Sequence, residues 1–284
     1  MQTVAIAGVG LIGASFGLAL RKAGFEGELL GVSSSRSIQA GLSVGAVSRG
    51  VSLEEAAARA DLIYLSQPIE QILTTLKDLG SIVRPDCLVT DAGSTKALIV
   101  RTAQEHLRSG TFLGGHPMAG KEQRGALAAD ADLFQGRLYV LTPLHGKSAR
   151  MDSFRSWLER IGADVIEMDP EEHDATVALS SHLPQLLSTA LAATLAGQNS
   201  EHVSKVFGPG LLDMTRLALS APEVWMSVLS TNKLAVQEAL RAFQITLTEL
   251  QHRLDNDTLL DLFQKAGRFS SAIRKLPYET PSVE

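Results

Sequence analysis

A single cysteine, Cys87, stands in a chain of 284 residues. That excludes an intrachain disulfide framework and a CxxC metal pair, fits a reducing compartment, and makes Cys87 a small core residue. No uninterrupted apolar run reaches the ~18 residues of a membrane span, and the N-terminus enters a strand without a basic and apolar leader. A global basic field is missing too. The formal net charge is -5, which argues against nucleic acid or an anionic membrane as partner and leaves room for a local basic pocket. There is no internal repeat or low-complexity tract, and no metal site is expected. These absences point to a soluble, cytoplasmic protein. Hydrophobic residues make up 45% of it, enough for one large core or two ordinary ones, and two domains are expected.

What is present begins at Thr3 to Ala7, a buried strand, followed by Gly8-Val9-Gly10-Leu11-Ile12-Gly13 and an alanine- and leucine-rich helix to about Ala23. In this GxGxxG turn the first glycine makes the bend and the second lets the backbone approach a pyrophosphate. The third lets helix and strand pack closely, and the helix N-terminus favours negative charge. The position between a first strand and a second at Glu28 to Val32 is the context a dinucleotide site requires. A glycine turn serving helix packing alone is the other reading.

One further absence bears on the cofactor. An NAD site carries Asp or Glu at the end of the second strand, about 20 residues beyond the glycines, to bond the ribose 2′-hydroxyl. Here that position holds Ser33, followed by Ser34, Ser35 and Arg36. Hydroxyls and a guanidinium suit a 2′-phosphate, and no carboxylate repels it. NADP is therefore expected over NAD; the alternative is a solvated serine turn with a surface arginine.

Helix and strand continue to alternate. Leu53 to Ala60 reads as a helix, Asp61 to Ser66 as a strand, Ile69 to Leu79 as a helix and Cys87 to Asp91 as a strand, a doubly wound α/β sheet. Short strands follow at Phe112 to Leu113, Tyr139 to Thr142 and Asp164 to Met168. Ligands bind outside the C-terminal ends of such strands. Ser66-Gln67-Pro68 is thus expected on the cofactor, and Ser94 and Lys96 at the nicotinamide or the substrate. A helix N-cap role for Ser94 stays open. The stretch Gly114-Gly115-His116-Pro117-Met118-Ala119-Gly120 reads as a loop whose three glycines serve an irregular backbone, with His116 as a group titrating near neutrality.

Composition changes after Asp169-Pro170, and residues 1–169 and 170–284 are expected as a dinucleotide-binding and a helical domain. Helical periodicity covers His173 to Leu195, His202 to Ala218, Pro222 to Arg253 and Asp257 to Lys275, with a frayed tail from Pro277. These helices are apolar enough to pack on each other and on a second copy of the chain. Asp174, beside His173, complements a helix dipole. Pro184 interrupts the first helix between His182 and Gln185 and frees neighbouring groups to face a ligand. Arg216 lies among apolar residues; a substrate carboxylate and a salt bridge to Asp213 or Glu223 are both open as its partner.

Taken together, Gly8 to Gly13, Asp91 to Lys96, Gly114 to Gly120, His173-Asp174, Ser181 to Pro184 and Asp213 to Arg216 resemble the prephenate and arogenate dehydrogenase family of tyrosine biosynthesis. The match runs in order over most of the chain, and the GGHPMAG, SHLP and DxTR segments are its specific part. The resemblance implies a nucleotide-binding domain, a helical domain that makes a homodimer, and oxidation of a cyclohexadienol ring with loss of its carboxylate. It implies His116 as the base that takes the hydroxyl proton, Ser94 as the group orienting that hydroxyl, and Arg216 as the carboxylate-binding residue. His182 matches a pocket histidine, Lys96 supports the Ser94 loop, and Trp225, Asn232 and Lys233 line the pocket or the dimer seam. One position departs: many prephenate-using members follow SHLP with histidine, and this chain has Gln185. The NADP-type turn tips the expectation toward arogenate. The competing readings are a β-hydroxyacid dehydrogenase, which places its catalytic lysine in the helical domain, and a non-catalytic NADP-binding sensor.

Overall fold

The structure, a computed structural model, describes residues 1–143, 148–198, 202, 205–256 and 258–274. It divides into two compact units, Met1–His173 and Asp174–Glu284. The division falls just beyond the change of composition at Asp169-Pro170, inside the helix that begins at Pro170.

The first unit is built on one eight-stranded sheet in the order β3-β2-β1-β4-β5-β6-β7-β8. The strands are β1 (Thr3–Ala7), β2 (Glu28–Val32), β3 (Arg49–Gly50), β4 (Leu62–Leu65), β5 (Leu88–Asp91), β6 (Thr111–Pro117), β7 (Leu138–Pro143) and β8 (Asp164–Glu167). The first six run parallel; β7 is antiparallel to β6, and β8 is parallel to β7. Between them come α1 (Leu11–Lys22), α2 (Ser35–Ser43), α3 (Leu53–Arg59), α4 (Ile69–Leu79), α5 (Ala97–His106) and α6 (Ala149–Arg160). The residues of β4 and β5 are buried throughout, because helices cover both faces of a parallel sheet, and Leu62 to Leu65 is accordingly a continuous apolar run instead of an alternation. Phe16 of α1 stacks on Tyr64 with ring centroids 4.0 Å apart, and Phe134 and Phe154 meet Phe16 edge-on.

The chain goes outward from β1 to β2 and β3, then crosses back to β4 on the other side of β1. That reversal opens a crevice at the C-terminal ends of β1 and β4, where ligands of such sheets bind. Two differences from the sequence reading matter. The two-residue strand β3 was not expected, and β6 is longer than expected: it takes in Gly114, Gly115, His116 and Pro117.

In the helical region α7 (Pro170–Val177) leads through a π turn, Ala178–His182, into α8 (Leu183–Ala196). Next come α9 (Pro209–Thr215), a 3₁₀ turn (Arg216–Leu219), α10 (Pro222–Thr231), α11 (Lys233–Asp255) and α12 (Leu260–Ile273). The helix expected from His202 starts only at Pro209, where a proline suits the first turn. The segment expected as one helix from Pro222 breaks at Asn232 and runs on to Asp255. Asp257, Lys275 and the tail from Pro277 lie outside the described residues. Ala178, Val236 and Ala239 are buried together in this unit, whereas Ile245, Leu254, Phe263 and Phe269 are exposed. Among the described residues no helix is long and apolar enough to cross a membrane.

Candidate active site

The turn after β1 has the shape its glycines predict, and each glycine has a different reason to be there. Gly8 adopts φ +98, and a Cβ on it would lie 2.7 Å from the backbone at Ser66 and Gln67. On Gly13 a Cβ would strike the Gly8 carbonyl and the Ser66 hydroxyl, so α1 approaches β1 closely only without one. Around Gly10, the residue that caps α1 without a side-chain bond, a Cβ would meet nothing within 4 Å. Open space on that glycine, beside uncapped amides at a helix N-terminus, fits a pyrophosphate. Leu11 and Ile12 open α1, half-buried.

Ser66 donates its hydroxyl to the Gly8 carbonyl at 2.9 Å and so buttresses the turn. The Gln67 amide oxygen accepts from Thr75 at 2.9 Å, and Pro68, exposed, caps α4. At the end of β2, Ser33, Ser34, Ser35 and Arg36 are all exposed. Ser34 caps α2 by accepting from the Ser37 amide at 3.3 Å, which ties its side chain to the helix and leaves Ser33, Ser35 and Arg36 as the other exposed side chains of this turn.

His116 lies in a strand, not in a loop. β6 pairs with β5 only as far as Leu113↔Thr90; beyond that it runs past the C-terminal end of β5 with β7 alone, His116 opposite Val140. The glycines before it therefore serve proximity. Neither has positive φ. A Cβ on Gly114 would strike the Thr142 hydroxyl, and one on Gly115 would lie 2.6 Å from the Asp91 carbonyl. Gly120 has neither positive φ nor a neighbour for a Cβ.

Under this strand sits a fully buried ion pair, Asp91 with Lys96. The Gly115 amide donates to Asp91 Oδ1 at 3.1 Å, the Gly93 amide donates to Oδ2 at 2.8 Å, and Lys96 Nζ donates to the Gly115 carbonyl at 2.7 Å. Lys96, expected at the substrate, is thus inside the protein and bound to the backbone next to His116. Tyr64 and Tyr139, hydroxyls 3.3 Å apart, lie nearby; burial pushes both phenols up, so they stay neutral. Ser94 is half-buried in the segment between β5 and α5, and the N-cap of α5 is Lys96, two residues further on. His116, itself buried, meets a second buried histidine: His116 Nδ1 and His173 Nε2 are 2.8 Å apart.

In the helical unit the π turn ends at His182. Such turns occur as single wide turns, often at functional sites, and here it supplies the interruption that the sequence placed at Pro184, which itself fits the first turn of α8. His182 is buried, edge-on to Trp225 with ring centroids 5.9 Å apart. Asn232, at the α10–α11 break, donates to the Asp174 carbonyl at 2.7 Å and reaches His182 Nδ1 at 3.3 Å. Gln185 donates Nε2 to the Leu217 carbonyl at 2.8 Å, and its buried Oε1 has no partner among the described residues. The Ala218 amide donates to Ser188 at 3.1 Å. Two side chains of α8 therefore hold the 3₁₀ turn that begins with Arg216. Arg216 is exposed and makes no ion pair with Asp213 or Glu223 among the described residues. Lys233 is exposed as well.

Sequence reasoning missed two things. One is the partnership of His173 with His116, 57 residues apart, which no local spacing encodes. The other is the Asp91–Lys96 pair, whose five-residue spacing was visible but gave no sign of burial. Among the described residues no group of three His, Cys, Asp or Glu is placed to hold a metal ion.

Comparison with known proteins agrees with this layout. Residues 16–167 match the family model described as prephenate dehydrogenase, nucleotide-binding domain, and residues 169–266 match prephenate dehydrogenase, dimerization domain. The prephenate dehydrogenase of Lactococcus lactis is 33% identical over 282 residues, covering 96% of this chain and 78% of that protein. The crystal structure of Aquifex aeolicus prephenate dehydrogenase with hydroxyphenyl propionate and NAD+ is 31% identical, covers 97% of this chain and 98% of its own, and superposes with a TM-score of 0.88. Synechocystis arogenate dehydrogenase is 29% identical over 96% of this chain and 99% of its own, with a TM-score of 0.84.

Proposed function

Since the chain belongs to the prephenate dehydrogenase family, we propose that it oxidatively decarboxylates arogenate or prephenate with NADP, yielding tyrosine or 4-hydroxyphenylpyruvate. The observation that carries this reading is β6. It extends past β5 and holds His116 at the same C-terminal edge of the sheet as the Gly8–Gly13 turn. When bound, the nicotinamide supplies the hydride acceptor. Gly8, Gly10 and Gly13, with Leu11 and Ile12, would hold the pyrophosphate at the start of α1, Ser66, Gln67 and Pro68 border that turn, and Ser33, Ser35 and Arg36, beside the Ser34 cap, would take the 2′-phosphate.

His116 takes the ring hydroxyl's proton as the carbon-bound hydrogen leaves as hydride, so that the carbon becomes a carbonyl. A neutral imidazole with a reference pKa of about 6.5 suits that task. Ser94 donates to the same oxygen and orients it. As the ring carboxylate departs as CO2, its bonding electrons complete the aromatic ring, and the proton held on His116 is available to the phenolic oxygen. Arg216 pairs with a substrate carboxylate: its guanidinium is exposed and makes no ion pair among the described residues. His182, held by Asn232 and Trp225, lines the pocket. Lys96 acts through the strand and not on the substrate.

Gln185 favours arogenate. Because its Nε2 donates to Leu217, Oε1 is left as a buried acceptor without a donor among the described residues, a costly state that a ligand donor relieves. Arogenate brings an ammonium there; the keto acid of prephenate has only acceptors. The exposed apolar side chains of α11 and α12, together with the dimerization-domain match, support a homodimer formed through the helical unit. The test is NADPH formation by the purified protein with arogenate and prephenate in parallel, with NADP and then NAD. Turnover of neither, with NADP still bound, would return the sensor reading to favour.

A further inference from the structure

Two buried imidazoles 2.8 Å apart, His116 Nδ1 against His173 Nε2, cannot both present a lone pair or both present a proton. One nitrogen donates and the other accepts, so the contact couples the tautomers of the two rings. His173 has little freedom to adapt. It lies in the first turn of α7, its amide donates to the Asp169 carbonyl at 2.8 Å, and the Asp169 carboxylate accepts from Glu171 and Glu172. Its own side chain is fully buried.

We propose that His173 is a positioning residue that accepts the Nδ1 proton of His116 and so keeps Nε2 of His116 unprotonated, as the nitrogen that receives the substrate's hydroxyl proton. This rests on the reading of His116 as base. With the bridge in this sense, His116 takes a proton on Nε2, becomes an imidazolium and goes on donating from Nδ1 without moving. In the opposite sense Nε2 starts protonated and can take nothing. A second proton on the pair would leave two donors facing each other, so the two rings hold one extra proton and not two. Of the strands beside β6, β5 carries Asp91, paired with Lys96, and β7 carries Tyr139, a neutral phenol bonded to Tyr64; α5, packed on β6, carries Arg101, Glu105 and His106, and α7 carries Glu171, Glu172 and Asp174 around His173.

The first experiment reads the tautomer directly and needs no turnover. In 15N spectra of histidine-labelled protein, with the His116 signals identified from a His116→Asn sample, His116 is expected with Nδ1 protonated and Nε2 not, and as a mixture in His173→Ala. Finding Nε2 as the protonated nitrogen in the wild type overturns the proposal. The second experiment is kinetic: His173→Ala should lose about 10- to 100-fold in kcat with KM near normal, and the acid limb of its pH profile should move to lower pH. His173→Gln, whose amide oxygen can accept the same proton, should recover much of that loss. Equal kcat for the wild type and His173→Ala, or no recovery in Gln despite a folded protein, would also overturn it. Absence of turnover in the wild type would instead count against the enzymatic reading while the spectra still decide the tautomer.

Discussion

Replacing Lys96 with methionine separates a substrate-binding lysine from one that acts through the strand. Both Lys96 and Asp91 are wholly inaccessible to solvent. Methionine fills most of the lysine volume, so cavity terms are small and the chief effect is electrostatic: the Asp91 carboxylate stays buried with the Gly93 and Gly115 amides at 2.8 and 3.1 Å and no counter-ion. Breaking a buried pair in this way costs about 3–5 kcal/mol. For a cooperative unit of this size each kcal/mol lowers Tm by roughly 2–4 °C, so a fall of about 6–20 °C is expected by calorimetry or circular dichroism. Asp91→Asn with Lys96→Met removes both charges and should recover part of the loss, a coupling that a double-mutant cycle measures. Activity should fall in kcat, because the Gly115 carbonyl loses its donor beside His116. A Tm within about 2 °C of the wild type, together with a raised substrate KM, would refute the reasoning and restore Lys96 to the substrate.

Gly10→Ala and Gly13→Ala should part ways. The first has room in the protein and should keep Tm while weakening NADP binding about 10-fold or more; the second, pressed against the Gly8 carbonyl, should lose about 1–3 kcal/mol of stability, as overpacking does, in a denaturant titration. Arg216→Ala should raise substrate KM roughly 10-fold or more with little change in Tm, because the residue is exposed; an unchanged KM would place the carboxylate clamp elsewhere. Ser33→Asp should lower kcat/KM with NADP and raise it with NAD, since a carboxylate there repels a 2′-phosphate and bonds a 2′-hydroxyl. Burial pushes the Cys87 thiol up to about 12, so iodoacetamide at pH 8 should label it only after unfolding. The sign for stability follows: the folded state holds this proton more tightly, and stability should fall as pH rises from about 9, where an exposed thiol ionises, toward 12.

The strands at Thr3–Ala7, Glu28–Val32 and Leu88–Asp91 could be read from sequence because a doubly covered parallel strand is an apolar run bounded by turn residues. β3 could not, since two residues carry no period. β6 hid for another reason. Two glycines and a proline in seven residues depress strand propensity, and only the pairing with β7 overrides them. At Gly8 and Gly13 the turn was legible down to the reason for each glycine, because bend and close packing are local. The ring contact of His116 with His173 and the grip of Gln185 on Leu217 join residues 57 and 32 apart, beyond any local pattern. The π turn at Ala178–His182 has no composition of its own; Pro184 marks its neighbourhood and nothing more.

The Asp91–Lys96 pair bears on why His116 is placed by charge and not by packing alone. The surface ion pairs of this unit, such as Arg49 with Glu28, contribute about 0–1 kcal/mol each. A buried pair is no better bargain in stability, since apolar residues of similar volume often do as well. Its bonds end at one place: Lys96 donates to the Gly115 carbonyl, and Asp91 accepts from the Gly115 amide. Beyond Leu113 the strand has lost β5 as a partner, so on that edge these two side chains supply the bonds that a neighbouring strand would otherwise give. An apolar pair would fill the space and hold neither backbone group. The glycine before His116 completes the arrangement, because any Cβ there would push the strand off Asp91 and lengthen both bonds at once.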